Sequence, residues 1–95
     1  MALWKYFSDW EIVMIGCEEE YAKGDYRLIF PQPRCFTRPD GTSTGPLIKV
    51  WLIKGERLVL EIEQDFMEFR NNREAVMTRI SEQVNIAMER DQAQG

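Results

Sequence analysis

An amphipathic pattern over residues 65–91 constrains the fold of this chain more than any other stretch of its sequence. Apolar side chains recur there with the period of a helix, and charged and amide side chains occupy the opposite side. The apolar positions that share one face are Phe66, Phe69, Val76, Met77, Ile80, Val84, Ala87 and Met88. Asp65 can cap the first turn, with Glu68 as the reciprocal partner of a capping box. The pattern predicts a long C-terminal helix with one buried face.

Two features leave open whether this helix is continuous. Asn71 and Asn72 are poor residues inside a helix and good ones at its ends. Arg73 falls in the middle of the apolar face, where a continuous helix would bury its guanidinium. A buried charge requires a partner, which Glu61, Glu63, an anionic ligand or another chain could supply. A break at the two asparagines would instead make Arg73 a first-turn residue near the rim of the core.

The segments 47–53 and 57–63 predict a β-hairpin closed around Lys54 and Gly55. With regular pairing, one face carries Leu47, Lys49, Trp51, Ile53, Leu58, Leu60 and Ile62. The other face then carries Ile48, Val50, Leu52 and Val59, with Arg57, Glu61 and Glu63. Both faces are rich in apolar groups, whereas a solvated antiparallel sheet alternates more cleanly. One helix covers one face only, so the aromatic N-terminal segment or a second copy of the chain is expected on the other.

Two further strands are predicted upstream of the hairpin. Residues 26–30 indicate one strand, and residues 10–16 favour a buried strand over a helix, because a helix would leave Ile12 and Ile15 on its polar side. We therefore predict a single α+β domain over residues 1–95. It consists of an antiparallel, meander-like sheet of about four strands, with the long C-terminal helix packed on one face.

Composition excludes several function classes. The net charge of −4 and the lack of a basic segment make nucleic-acid binding unlikely. The chain has no histidine, so imidazole-based catalysis and imidazole metal ligands are excluded, and no cofactor or metal is expected. No apolar run is long enough to span a membrane, and the N-terminus lacks a signal pattern. Cys17 and Cys35 indicate two half-buried, reduced thiols in a cytoplasmic protein.

The loop over residues 31–46 is the first candidate binding site. It is long for a compact domain, and such loops are usually functional or mobile. Arg34 and Arg38, with nearby backbone amides, could hold a phosphate or an acidic partner. Phe36 lies between the two arginines in sequence, and Asp40 belongs to the turn that follows.

Two groups of carboxylates are further candidates. Glu18, Glu19 and Glu20 predict an acidic patch in a connection, which could steer association with a basic protein surface. Glu61, Glu63 and Asp65 alternate along a strand and therefore share one face, where they could bind a divalent cation or hold a raised pKa. The simpler interpretation of the second group is a solvated strand end whose last member caps the helix.

The sequence thus favours a non-catalytic, acidic protein–protein interaction or regulatory module of the inhibitor type, expected to be homodimeric. Its partner would be another protein that is not identified by the sequence. The alternative is a domain that binds a small anionic ligand, or a minor enzyme, centred on Arg73 or on Arg34 and Arg38.

Overall fold

The computed structural model describes residues 3–94, which form a five-stranded antiparallel sheet followed by a helical C-terminal segment. The strands are β1 (Glu11–Met14), β2 (Glu19–Lys23), β3 (Tyr26–Phe30), β4 (Leu47–Lys54) and β5 (Arg57–Asp65), and the helices are α1 (Phe66–Asn71) and α2 (Arg73–Gln94). Each strand pairs with the next one in sequence, so the order is β1-β2-β3-β4-β5. The α+β meander predicted from the sequence is confirmed, with five strands instead of about four. The additional strand is β2, whose first residues the sequence placed in a connection.

The core lies between the sheet and the helices. We call the face of the sheet that packs against α1 and α2 the inner face, and the opposite one the open face. The buried apolar side chains of the sheet are Tyr21, Tyr26, Leu28, Phe30, Ile48, Val50 and Leu52, and those of the helices are Phe69, Val76, Met77, Ile80, Val84 and Met88. The apolar stripe of the C-terminal segment therefore packs on one face of the sheet, as its periodicity predicted.

The N-terminal aromatic segment joins this same core and does not cover the open face. The side chains of Leu3, Phe7 and Trp10 are buried, and the ring of Phe7 lies 5.4 Å from Tyr21 and 5.6 Å from Phe30 between centroids. Both partners belong to the inner face. From the sequence, either the N-terminal segment or a second copy of the chain was expected on the face opposite the helices. The prediction that the N-terminal segment covers this open face is therefore wrong.

A bulge in the β4–β5 hairpin corrects the predicted distribution of side chains over the two faces. Near the turn Ile53 pairs with Leu58, but Leu52 pairs with Leu60, so Val59 is an extra residue on β5. One extra residue moves every later side chain of a strand to the other face. Leu60 and Ile62 therefore face the core, while Glu61 and Glu63 lie on the open face opposite Trp51 and Lys49. The alternation is cleaner than regular pairing implied.

β1 is a strand, as favoured from the sequence, but it is not buried. It pairs with β2 on one side only and forms one edge of the sheet, and all four of its residues are exposed. The pairing with β2 is irregular between Ile12 and Met14. The run of apolar side chains that suggested burial is thus presented to solvent.

The C-terminal segment breaks at the two asparagines. Asp65 caps α1 by accepting a hydrogen bond from the backbone N–H of Glu68 at 2.8 Å, and α1 ends at Asn71. Asn72 leaves helical geometry with φ −133° and ψ 50°, and its carbonyl then accepts from the N–H of Val76 in the first turn of α2.

No helix within residues 3–94 is both long and apolar enough to cross a bilayer.

Candidate functional site

The loop over residues 31–46 is an ordered ribbon that continues from the edge of β4. Arg34 and Leu47 exchange two backbone hydrogen bonds, each 2.9 Å long, and Thr37 pairs with Ser43. Phe36 is held between these pairs, since its N–H donates to Thr44 Oγ1 at 2.9 Å and its carbonyl accepts from Thr44 N–H at 2.8 Å. The backbone around Arg34 and Phe36 is therefore fixed relative to the sheet, which gives their side chains defined positions.

The polar atoms of Arg38 and Asp40 form hydrogen bonds within the ribbon and stabilise its tip. The Arg38 guanidinium donates to Thr42 Oγ1 at 3.3 Å and to the carbonyl of Ser43 at 3.1 Å. Asp40 Oδ1 accepts from the hydroxyl of Thr42 at 2.6 Å and from its N–H at 2.9 Å, and these bonds lower the pKa of Asp40. Gly41 takes the left-handed conformation (φ +88°) that the turn requires. The structure thus separates Arg38 and Asp40 from Arg34 and Phe36.

Where the ribbon meets the open face, it leaves a groove of about 400 Å³. We call it the open-face groove. It is lined by Ile29, Pro31, Gln32, Arg34, Phe36, Lys49, Trp51 and Glu61. Its volume lies within the range of ordinary binding pockets, roughly 300–1,000 Å³. The sequence predicted Arg34 and Phe36 in one candidate site and Glu61 in another, and the fold brings the three together.

The Phe36 ring of the groove is flanked by two cations. Lys49 Nζ lies 4.1 Å from the centroid of the Phe36 ring, and the guanidinium carbon of Arg34 lies 5.8 Å from the same centroid. Both distances are within the range of cation–π contacts, below about 6 Å. Trp51 lies on β4 with 43% of its surface exposed, and its Nε1–H donates to Glu61 Oε1 at 2.9 Å. The groove therefore offers exposed aromatic surface next to positive charge.

The charges of the groove are not fully paired. Glu63 lies 3.7 Å from Lys49, and Glu61 accepts from the indole of Trp51. Arg34 is exposed, and no carboxylate of residues 3–94 forms an ion pair with it. A guanidinium without a carboxylate, fixed beside an aromatic ring, can donate a bidentate pair of hydrogen bonds to an incoming carboxylate or phosphate.

Glu61, Glu63 and Asp65 share the open face, as their alternation predicted, but each has a different contact. Glu61 bonds to Trp51, Glu63 is next to Lys49, and Asp65 caps α1. Among the residues that the structure describes, no three acidic or cysteine side chains come close enough together to hold a metal ion. The interpretation of Asp65 as a helix cap is the one that the geometry bears out.

The predicted acidic patch at Glu18, Glu19 and Glu20 is wrong, because Glu18 precedes strand β2, while Glu19 and Glu20 begin it and lie on opposite faces. Glu19 is fully buried, and its Oε1 accepts from the hydroxyl of Tyr21 at 2.6 Å and from the N–H of Leu3 at 3.0 Å. Glu20 lies on the other face of the strand and forms an ion pair with Arg27 at 3.3 Å. Only Glu18 remains as a solvated carboxylate.

Arg73 does not occupy a buried site. Because the helix breaks before it, Arg73 is exposed in the first turn of α2, where its guanidinium lies 5.4 Å from the centroid of the Phe69 ring. The ion pairs expected with Glu61 or Glu63 are not formed within residues 3–94. The requirement for an anionic partner at Arg73 therefore disappears with the break.

The thiols of Cys17 and Cys35 are free and both exposed, where half-buried positions were expected.

Sequence reasoning missed two clusters. Lys49 and Trp51 of the groove were interpreted only as residues on one face of a strand. The signal that could have identified them is an aromatic residue between charged ones on a sheet face that, within residues 3–94, no helix covers. The second cluster ties α2 to the hairpin: Asp91 accepts from the hydroxyl of Tyr26 at 2.7 Å and pairs with Arg57 at 2.7 Å. These bonds lower the pKa of Asp91, and the bond to Asp91 raises the pKa of Tyr26.

No protein-family model, no curated protein and no solved structure matches this chain. The open-face groove combines exposed aromatic surface, two cations and a fixed backbone, which are features of a recognition surface.

Proposed function

We propose that this protein is a non-catalytic protein–protein interaction module, regulatory or inhibitory in role, whose open-face groove binds an extended segment of another protein. The support comes from the groove itself. It lies on a sheet face that no helix within residues 3–94 covers, and it is walled by Phe36 and Trp51. Aromatic and arginine side chains are the residues that most often dominate the energetics of protein interfaces.

The chemistry of the groove specifies the kind of segment that would fit. An apolar or aromatic side chain would pack against Phe36 and Trp51, and a carboxylate close to it in sequence would pair with Arg34. The observation that carries this proposal is the position of Arg34, fixed 5.8 Å from the Phe36 centroid with no carboxylate of residues 3–94 paired to it. An acidic residue in the partner would form a charge-assisted pair at this point.

We place the module in the cytoplasm. The support is the pair of exposed thiols, Cys17 and Cys35, neither of which forms a disulfide. Exposed free thiols are suited to a reducing compartment, where disulfides are rare.

A second candidate function rests on the same arginine. A small anionic ligand with a planar ring could pair its charge with Arg34 and stack on Phe36, since a groove of about 400 Å³ is large enough for such a molecule. Arg38, which was predicted to share this role, is engaged by Thr42 and Ser43. A thermal-shift screen of anionic metabolites, repeated on Arg34→Ala, tests this candidate.

Selection from a random-peptide display library tests the proposed function. We expect the wild-type protein to enrich peptides that carry an apolar or aromatic residue next to Asp or Glu. These peptides should bind Trp51→Ala at least about tenfold more weakly, as is typical of an aromatic hot-spot residue.

The matched control for this selection is Met67→Ala. Met67 has a similar exposed fraction, 47% against 43% for Trp51, but it belongs to α1 and does not line the groove. This variant should bind the selected peptides like the wild type. A selection without a common pattern, or peptides that bind Trp51→Ala as well as the wild type, would overturn the proposal.

A further inference from the structure

The exposed edge strand β1 is a second surface that the groove does not explain. It pairs with β2 on one side, and no other strand of residues 3–94 pairs with its other side. An unpaired strand edge presents a row of backbone N–H and C=O groups that another strand can pair with. Two strands, β2 and β3, separate this edge from β4, which contributes Trp51 to the groove.

The side chains along this edge are apolar. Ile12, Val13 and Met14, together with Ile15 directly after the strand, expose 54%, 50%, 45% and 51% of their surfaces. Edge strands usually carry a lysine or a proline that discourages pairing with another chain. Residues 12–15 contain neither, and no charged residue interrupts them. Four consecutive half-exposed apolar side chains on an open edge are typical of an interaction surface.

We propose that β1 pairs in antiparallel orientation with β1 of a second copy of this chain. A second copy is the expected partner because the edge is complementary to itself. A two-fold axis through Val13 would place Val13 opposite the partner's Val13, Ile12 opposite the partner's Met14, and Glu11 opposite the partner's Ile15. Every cross-strand pair in the strand would then contain an apolar side chain.

The distribution of charged side chains near the axis is compatible with this register. Glu11, the acidic residue of β1, would face the partner's Ile15, so no two carboxylates oppose each other within the strand pair. Asp9 lies before the strand and forms an ion pair with Lys23 within its own chain.

A two-fold axis perpendicular to the sheet joins the two sheets into one of ten strands. Both helical layers then lie on the same side, and both open-face grooves lie on the other. The irregular pairing between Ile12 and Met14 shortens the ladder that a partner can use. β1 has four residues, so the strand pair is a small contact compared with the roughly 800 Å² per partner of a standard interface. The dimer is therefore weak and dependent on protein concentration.

Sedimentation velocity from micromolar to millimolar protein tests this proposal. The average mass of the wild type should rise with concentration from that of one chain toward that of two. Val13→Lys should raise the dissociation constant at least about tenfold, because the two-fold axis brings the two lysines together. Ile86→Lys is the matched control: Ile86 is 48% exposed on α2, away from the edge, and its variant should associate like the wild type.

A charge-swap mixture separates strand pairing from a general loss of stability. Val13→Lys alone and Val13→Glu alone should both stay monomeric, while an equal mixture of the two should associate, since the axis then pairs opposite charges. Circular dichroism melting confirms that each variant is folded. A wild type that stays monomeric to millimolar concentration, a Val13→Lys variant that dimerises like the wild type, or a mixture that stays monomeric would overturn the proposal.

Discussion

The hydroxyl of Tyr21 donates a hydrogen bond of 2.6 Å to Oε1 of Glu19, and both side chains are fully buried beneath the N-terminal segment. The same Oε1 accepts from the backbone N–H of Leu3 at 3.0 Å. Strand β2 is therefore tied to the start of the chain through one buried oxygen atom. Buried polar groups of this kind are costly to disturb, because the low local dielectric strengthens each bond and penalises its loss.

The first prediction concerns this bond. Tyr21→Phe keeps the aromatic packing and removes the donor, so the free energy of unfolding should fall by about 1–3 kcal/mol. Urea denaturation at neutral pH measures the change. Glu18→Ala is the control: Glu18 is an exposed neighbour of Glu19, and its loss should change stability by no more than about 0.5 kcal/mol. Equal losses in the two variants would contradict the buried role of Glu19.

The second prediction is a loss of stability at alkaline pH. Burial, with a smaller contribution from the bond to Glu19, raises the pKa of Tyr21 well above its ordinary value. Above about pH 10 the unfolded chain releases this proton while the folded chain keeps it, so the stability present below that pH is lost as pH rises. Tyr21→Phe should lose stability less steeply above pH 10, by up to about 1.4 kcal/mol per pH unit. Parallel curves for the two proteins would show that Tyr21 does not carry this dependence.

The third prediction concerns acid and the contact between α2 and the hairpin. The bonds from Tyr26 and then from Arg57 lower the pKa of Asp91. Asp91 therefore contributes stability that is present above its ordinary pKa of about 4 and is lost as pH falls through the lower folded value. Asp91→Asn should reduce the fall in Tm on acidification, and Glu82→Gln, an exposed site on the same helix, should leave it unchanged. A fall in Tm that is identical in wild type and Asp91→Asn would contradict this role.

The fourth prediction separates a helix cap from a cation site at the end of β5. Asp65→Ala removes the bond to the Glu68 N–H and should cost about 1 kcal/mol. Glu63→Ala removes only a surface contact with Lys49, 3.7 Å away, and should cost no more than about 0.5 kcal/mol. Calcium or magnesium should leave the Tm of both variants and of the wild type unchanged. A rise in Tm with either ion that is lost in Asp65→Ala would indicate a metal site instead.

The periodic signals in the sequence predicted the fold class well. The stripe over residues 65–91, the hairpin and the cap at Asp65 are local features, so they can be recognised one segment at a time. The break at Asn71 and Asn72 was also among the alternatives, because asparagine prefers helix ends. What local patterns could not determine was the burial of each face.

Three features of the structure illustrate that limit. The bulge at Val59 adds one residue that no spacing rule reveals, and it exchanges the faces of Glu61 and Ile62. Glu19 looked like part of a charged turn, because a buried carboxyl group is identified only by the donors that tertiary structure brings to it. The β1 run was interpreted as buried because apolar composition alone does not separate a core strand from an exposed edge.

The candidate site was predicted in part for the same reason. Arg34 and Phe36 were named from the composition of their loop, and they do line the groove. Lys49 and Trp51 complete it from a distant strand, so their role depends on the contact between the ribbon and the open face. Arg38 and Asp40 were predicted as site residues on the same grounds as Arg34 and Phe36. Their polar atoms instead form hydrogen bonds with Thr42 and Ser43 in the turn.

The most direct test of the proposed interaction module is the affinity of one selected acidic peptide for Arg34→Ala. Titration calorimetry should show binding at least about tenfold weaker than to the wild type, which corresponds to the loss of one charge-assisted pair. Arg70→Ala, which removes an equal charge from an exposed site on α1 outside the groove, should bind within about twofold of the wild type. Equal affinity of the peptide for Arg34→Ala and the wild type would contradict the account.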